Sequence, residues 1–203
     1  MIPANTTGEG GTTVVYGAGP EVPEPGPPVL DLYLDLRCPY CRAVELALGE
    51  TMRQLADSGD CVLHHHFGTF LDDQLGGHGS HRAVAALGAA ADVGQQQFAT
   101  YLHTLYRNQP HEEHDGFAAD RMLLGLANDV PGLRRPTFDD AVLDQAYDPW
   151  VRRVSRAFDD SGVAGTPTVL FQGRQVGVLD ANGASVPPAQ FTAQLDDAAG
   201  TQR

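Results

Sequence analysis

The sequence predicts an α/β chain whose strand-forming segments are split by one long helical block. Three observations predict it. An aliphatic run, Val29 to Leu36, leads into Cys38-Pro39-Tyr40-Cys41 and then into a helix-like segment, Arg42-Ala43-Val44-Glu45-Leu46-Ala47-Leu48. From Ser80 to about Asp160 only helical spacing of apolar residues is found. Strand character then returns at Pro167-Thr168-Val169-Leu170-Phe171 and closes as a hairpin.

Taken in order, Met1 to Gly11 is polar and expected to fray, and Thr12 to Tyr16 suits a short strand. Gly17 to Pro28, dense in Gly and Pro, is a loop. Residues 29–36 form a buried strand, and a helix follows from about Pro39 to about Ala56. Cys61 to Phe67 is a second strand, and Gly68 to Gly79 a loop. In the helical block, Ser80 can cap a helix to about Ala91, and a second runs from Gln95 to Arg107 with Phe98, Leu102 and Leu105 on one face. A third spans about Ala118 to Asn128. Thr137 with Asp140 resembles a capping box, and Asp148-Pro149 supplies a cap and first-turn proline for another helix ending at Gly162. Gln172-Gly173-Arg174 turns the hairpin into Gln175 to Leu179, and a last helix opens at Pro187 or Pro188, carries Phe191 and Leu195, and stops at Gly200. The domains read as an N-terminal arm with a short strand (1–26), an α/β domain from 27–79 and 163–203, and a helical insertion at 80–162.

Composition narrows the function. The chain has 203 residues, a formal net charge of −13 and no lysine. That argues against nucleic acid and anionic membrane as partners, since both need basic patches. No apolar run is long enough to span a membrane. Met1 to Pro20 lacks the basic segment and apolar core of a signal peptide, so a cytoplasmic location is expected, or an exported one if a leader has been removed.

The chemistry centres on the cysteine pair. The first N–H groups of a helix lack intrahelical partners and the dipole is positive there, so a thiolate at Cys38 is stabilised and its pKa falls. Pro39 suits the first turn, where its missing N–H is not needed. Cys41 lies one turn on, on the same face, and can close a disulfide with Cys38. The alternatives are two unrelated core cysteines or half of a zinc site, but a Cys-x-x-Cys between strand and helix is a redox signal and no second such pair is present. Cys61 reads as a small core residue.

The second piece is Gly165-Thr166-Pro167-Thr168-Val169, where a proline opens a strand. With this piece, the element order resembles the DsbA-type thiol–disulfide oxidoreductases of the thioredoxin-like superfamily. The Cys-Pro-Tyr-Cys motif points to the superfamily, and the length and position of the helical insert to the DsbA branch. The resemblance runs over roughly residues 27–199 and implies a central mixed sheet flanked by helices, with the insertion folded beside it. It implies a cis Thr166–Pro167 bond facing the two sulfurs, and a Thr166 backbone open to an extended peptide. In many relatives a buried acid sits six residues before the nucleophile. Here that position is Leu32, leaving Asp31, Asp35 or water; Asp31 and Asp35 would share one strand face. The best-known members of that family work outside the cytoplasm.

The resemblance implies disulfide exchange through a mixed disulfide, with Cys38 and Cys41 catalytic, Pro39, Tyr40, Thr166 and Pro167 supporting, and no cofactor beyond the redox-active pair. Protein or peptide thiols are the expected substrates; the redox partner and direction stay open. Arg37 and Arg42 flank the pair and would favour the thiolate, which Asp35 would oppose. A peptide-binding, chaperone-like module and a thiol-conjugate isomerase or transferase are the alternatives. No metal site is expected. His64 and His66 share a strand face but no third ligand is evident, and His111-Glu112-Glu113-His114 lacks the metalloprotease spacing. Leu123, Leu124, Trp150 and Phe158 read as core of the helical block.

Overall fold

A computed structural model describes residues 1–17 and 26–200. Its strands are β1 Thr6–Thr7, β2 Thr13–Tyr16, β3 Val29–Leu34, β4 Val62–Phe67, β5 Thr168–Phe171 and β6 Arg174–Val176. They join one sheet in the order β1-β2-β4-β3-β5-β6, in which only the β3–β4 pair is parallel. The helices are α1 Pro39–Asp57, α2 Phe70–Leu75, α3 Gly79–Val93, α4 Gln95–Arg107, α5 Asp120–Ala127, α6 Pro136–Leu143, α7 Asp148–Asp159 and α8 Pro188–Gly200. The expected mixed sheet flanked by helices is therefore present, and α3 to α7 fall between β4 and β5. Most of the loop read over Gly17–Pro28 lies outside the described residues.

Period-two alternation makes the sheet two-faced. Leu30, Leu32 and Leu34 of β3 are buried while Val29, Asp31 and Tyr33 are half-buried. In register beside them, Leu63, His65 and Phe67 of β4 are buried. These side chains join Val44, Leu48 and Met52 of α1 and Phe98, Tyr101 and Trp150 of the helical block in a single core. The α3 and α7 helices meet at Gly88, where a Cβ would stand 2.8 Å from Cζ3 of Trp150. No described helix is long and apolar enough to cross a membrane.

Several local expectations change. The first eleven residues do not fray. The β1 strand pairs with β2, and the buried Trp150 indole donates to the Gly11 carbonyl at 2.7 Å. The 68–79 loop contains α2, whose first turn carries Asp72 and Asp73, as the helix dipole favours. Ser80 is not a cap. It sits inside α3, its hydroxyl donates to Asp35 at 2.5 Å, and Asp72 accepts the N–H groups of Ser80 and His81 at 3.0 and 2.9 Å. Thr137 and Asp148 likewise lie within first turns, behind Pro136 and before Pro149. The return strand of the hairpin stops at Val176, and its continuation makes only a bridge between Leu179 and Ser185.

Candidate active site

The mouth of α1 is where the sheet, the helical block and β5 converge. Cys38 is the N-cap residue, with extended φ −70° and ψ 119°, and Pro39 opens the helix. The Cys38 N–H donates to the Asp35 carbonyl at 3.1 Å, closing the turn that ends β3. Cys38 is 5% exposed and Cys41 fully buried, and both are free thiols. The antiparallel β3–β5 ladder pairs Tyr33 with Thr168, so the residues preceding Thr168 run past the end of β3 toward the cysteines. There the Thr166–Pro167 peptide is cis, and the Cys38 thiol donates to the Thr166 carbonyl at 3.4 Å.

The two thiols differ sharply. The Cys38 pKa is pulled down to about 6, above all by a hydrogen bond from the Cys41 thiol; burial opposes this, and Thr166 and the N–H groups of Cys41 and Tyr40 reinforce it. Cys41 is pushed well above its ordinary value, first by burial and then by the hydrogen bond and charge of Cys38. The helix mouth thus stabilises a thiolate through directed hydrogen bonds.

The flanking arginines do not act as expected. Arg37 is buried and committed elsewhere: its guanidinium donates to Asp72 at 2.9 Å, to the Gly76 carbonyl at 2.8 Å and to the Glu112 carbonyl at 2.7 Å. Arg42 donates from Nε to the Tyr106 carbonyl at 3.1 Å. Both fasten the turn to neighbouring elements; Arg37 is buried, and a desolvated guanidinium needs a full set of acceptors, whereas Arg42 is exposed.

The acids also part company. Asp35 lies beyond the strand end, not on the face of Asp31. It is fully buried, and its carboxyl accepts from Arg37 N–H at 2.9 Å, Leu71 N–H at 3.2 Å and the Ser80 hydroxyl. Burial raises it to about 6 against those hydrogen bonds. Asp31 instead meets His66 Nε2 at 2.8 Å on the half-open sheet face. Burial would raise its carboxyl, but hydrogen bonds with His64 and His66 hold it well below the usual range. Leu32 is core. Cys61 is buried and raised to about 11 by burial, His111 stays in an exposed loop, and His65, between His64 and His66, is buried and pushed down to about 3 by burial.

Two further residues shape this site, and no local signal marks them. Gln109 donates through Nε2 to the carbonyls of Leu36 at 2.8 Å and Cys38 at 3.1 Å. The buried Tyr106 hydroxyl donates to the Asp35 carbonyl at 3.2 Å. Tyr40 is 51% exposed, and a Cβ on Gly183 would stand 2.8 Å from its Cε1, so this ring packs against the loop after β6.

A family model described as thioredoxin matches residues 12–197. The chain belongs to the thioredoxin family, and its architecture is that of the DsbA-type thiol–disulfide oxidoreductases. Oxidised Mtb DsbA is 25% identical over 91% of each chain, with a TM-score of 0.73. The MdbA thiol–disulfide oxidoreductase of Actinomyces oris superposes with a TM-score of 0.74, at 23% identity, over 97% of this chain and 92% of its own. BdbD of Bacillus subtilis, oxidised, gives 0.71 at 16% identity over 97% and 96%. No curated protein sequence matches significantly.

The expected cytoplasmic location is corrected by these likenesses, because DsbA and MdbA oxidoreductases work outside the cytoplasm. Within the segment on which that expectation rested, Thr6–Thr7 and Thr13–Tyr16 are strands of the sheet.

Proposed function

We propose that the chain is a DsbA-type oxidoreductase that exchanges protein or peptide thiols and disulfides through Cys38 and Cys41. In the oxidising direction a substrate thiolate attacks Cys38 of the Cys38–Cys41 disulfide. The new bond is a mixed disulfide, and the electron pair of the broken bond leaves on Cys41, which takes up a proton. A second substrate thiolate then attacks the substrate sulfur of the mixed disulfide. It forms the substrate disulfide and expels the Cys38 thiolate. The reducing direction reverses each step.

The observation that carries this reading is the placing of Cys38 at the mouth of α1, with Cys41 fully buried one turn on and the Thr166 carbonyl, before the cis Pro167, 3.4 Å from the Cys38 sulfur; in keeping with it, the Cys38 thiol is pulled down to about 6 and the Cys41 thiol pushed well above its ordinary value. The first is a good leaving group and a thiolate at neutral pH; the second stays protonated until the mixed disulfide has formed. A stabilised Cys38 thiolate also shifts the pair toward its reduced form, and the direction of exchange is set by the reduction potential of the pair against its surroundings. The Thr166 carbonyl, already in contact with Cys38, marks where an extended peptide would align beside Pro167.

The test is oxidation of a reduced peptide dithiol in a glutathione buffer. Cys38→Ser should abolish turnover, and Cys41→Ala, given a single-cysteine form of the peptide as its glutathione mixed disulfide, should accumulate an enzyme–peptide disulfide on Cys38 with release of glutathione, seen by mass spectrometry. Unchanged protection of clients by Cys38→Ser would favour a chaperone-like module instead. Turnover of a small thiol conjugate by Cys41→Ser would favour an isomerase.

A further inference from the structure

On the sheet face away from α1, Asp31, His64 and His66 converge. They come from the neighbouring parallel strands β3 and β4, whose register pairs Asp31 with His64 and Tyr33 with His66. One ligand atom from each lies within 4.8 Å of the other two. Among the described residues no other trio of His, Cys, Asp or Glu does this. His66 Nε2 stands 2.8 Å from Asp31 Oδ1, and His64 Nδ1 stands 3.7 Å from the same oxygen. Tetrahedral bonds of about 2.0–2.2 Å from one ion need ligand atoms about 3.4 Å apart, so an ion would replace the Asp31–His66 hydrogen bond with a parting of about half an ångström.

The site is also built. His66 is stacked on Tyr33, with ring centroids 4.4 Å apart and planes 11° from parallel. Its second nitrogen, Nδ1, lies 3.4 Å from the Thr13 hydroxyl on β2. A ligating imidazole held by a partner on its other nitrogen has a fixed orientation and tautomer. The three side chains are 21–24% exposed, so the outer side of the group stays open.

We propose that Asp31, His64 and His66 bind a divalent transition-metal ion of the zinc type. Two imidazoles and a carboxylate are a borderline donor set that suits zinc and does not suit calcium or magnesium. Water fills the fourth position. The ion bridges β3 and β4, the strand leading into Cys38 and its parallel neighbour. It stabilises the folded chain by mass action and is separate from the thiol chemistry.

The probe is Zn²⁺, titrated by calorimetry into the full chain with Cys38 and Cys41 oxidised to the disulfide, so that neither sulfur can ligate. One equivalent is expected per chain, with a rise in Tm. Asp31→Asn and His66→Gln should each weaken binding about tenfold or more. His111→Gln with His114→Gln should change nothing. His64→Gln, at the most open of the three side chains, serves as a further arm should the others disturb folding by circular dichroism. Co²⁺ in place of Zn²⁺ should give visible absorption of nitrogen and oxygen ligation that disappears in His64→Gln. Unchanged Zn²⁺ affinity in all three ligand variants, loss of binding in the loop variant, or no binding by the wild-type chain would each overturn the assignment.

Discussion

The Cys38 thiol and the Thr166 carbonyl meet at 3.4 Å although 128 positions separate them in the chain. The β3–β5 ladder makes the meeting possible, and it sets the first prediction. Cys38 should be alkylated by iodoacetamide with a midpoint near pH 6, and Cys41 should stay unreactive through neutral pH. Because the Cys41 hydrogen bond is the largest cause of the Cys38 shift, Cys41→Ala should move the midpoint up toward the ordinary thiol value of 9.0. Cys41→Ser, which keeps a hydroxyl donor, should move it less. The measurement is the rate of alkylation against pH.

Asp35 predicts a pH dependence of stability. Its carboxyl stands at 3.8 ordinarily and at about 6 in the fold, with burial as the main cause. Ionising it is therefore harder folded than unfolded. Its contribution is most favourable below about pH 4 and is lost as pH rises through about 6, a change of about 3 kcal/mol at most. Asp35→Asn should flatten this window. Urea midpoints between pH 4 and pH 7, taken on the oxidised chain so that Cys38 does not titrate, would show it; equal slopes for both proteins would contradict the account.

Gly183 has a positive φ of 79° and touches the Tyr40 ring. Gly183→Val meets both a disfavoured backbone region and a ring at 2.8 Å. It should displace Tyr40 and raise KM for a peptide substrate, while the Cys38 alkylation midpoint stays near 6. A large fall in kcat with KM unchanged would show that the ring serves the sulfurs instead.

Trp150 is the one tryptophan of the chain, and it holds the N-terminal segment through the Gly11 carbonyl. Trp150→Phe should leave that carbonyl without its donor and cost about 1–3 kcal/mol. Trp150→Ala should cost about 3–5 kcal/mol, since it also opens a cavity between α3 and α7. Urea unfolding followed by circular dichroism measures both.

Much of this architecture was legible because its signals are local. The Val29–Leu36 run, the Cys-Pro-Tyr-Cys turn, Phe98, Leu102 and Leu105 at helical spacing, and the Gln172-Gly173 turn each follow from residues within a few positions of one another. What escaped was decided at long range. Arg37 reads as a charge beside a thiolate until its acceptors on α2 and in the 112 loop are known. Ser80 reads as a cap until Asp35 claims its hydroxyl. Asp31 was no partner for His64 and His66 until the parallel register of β3 and β4 set them abreast. Pattern supplies faces, and register supplies neighbours.

Gln109 and Tyr106 tie the backbone from Asp35 to Cys38 to the far end of α4, and Arg42 ties the first turn of α1 to the same end. The turn that carries Cys38 is thereby clamped from behind by the inserted helices as well as carried by the sheet. For the exchange proposed above, such a mount leaves rotation of the Cys38 and Cys41 side chains as the movement open to the sulfurs. The inserted helices then act as the vice in which the dithiol is held while other molecules are brought to it.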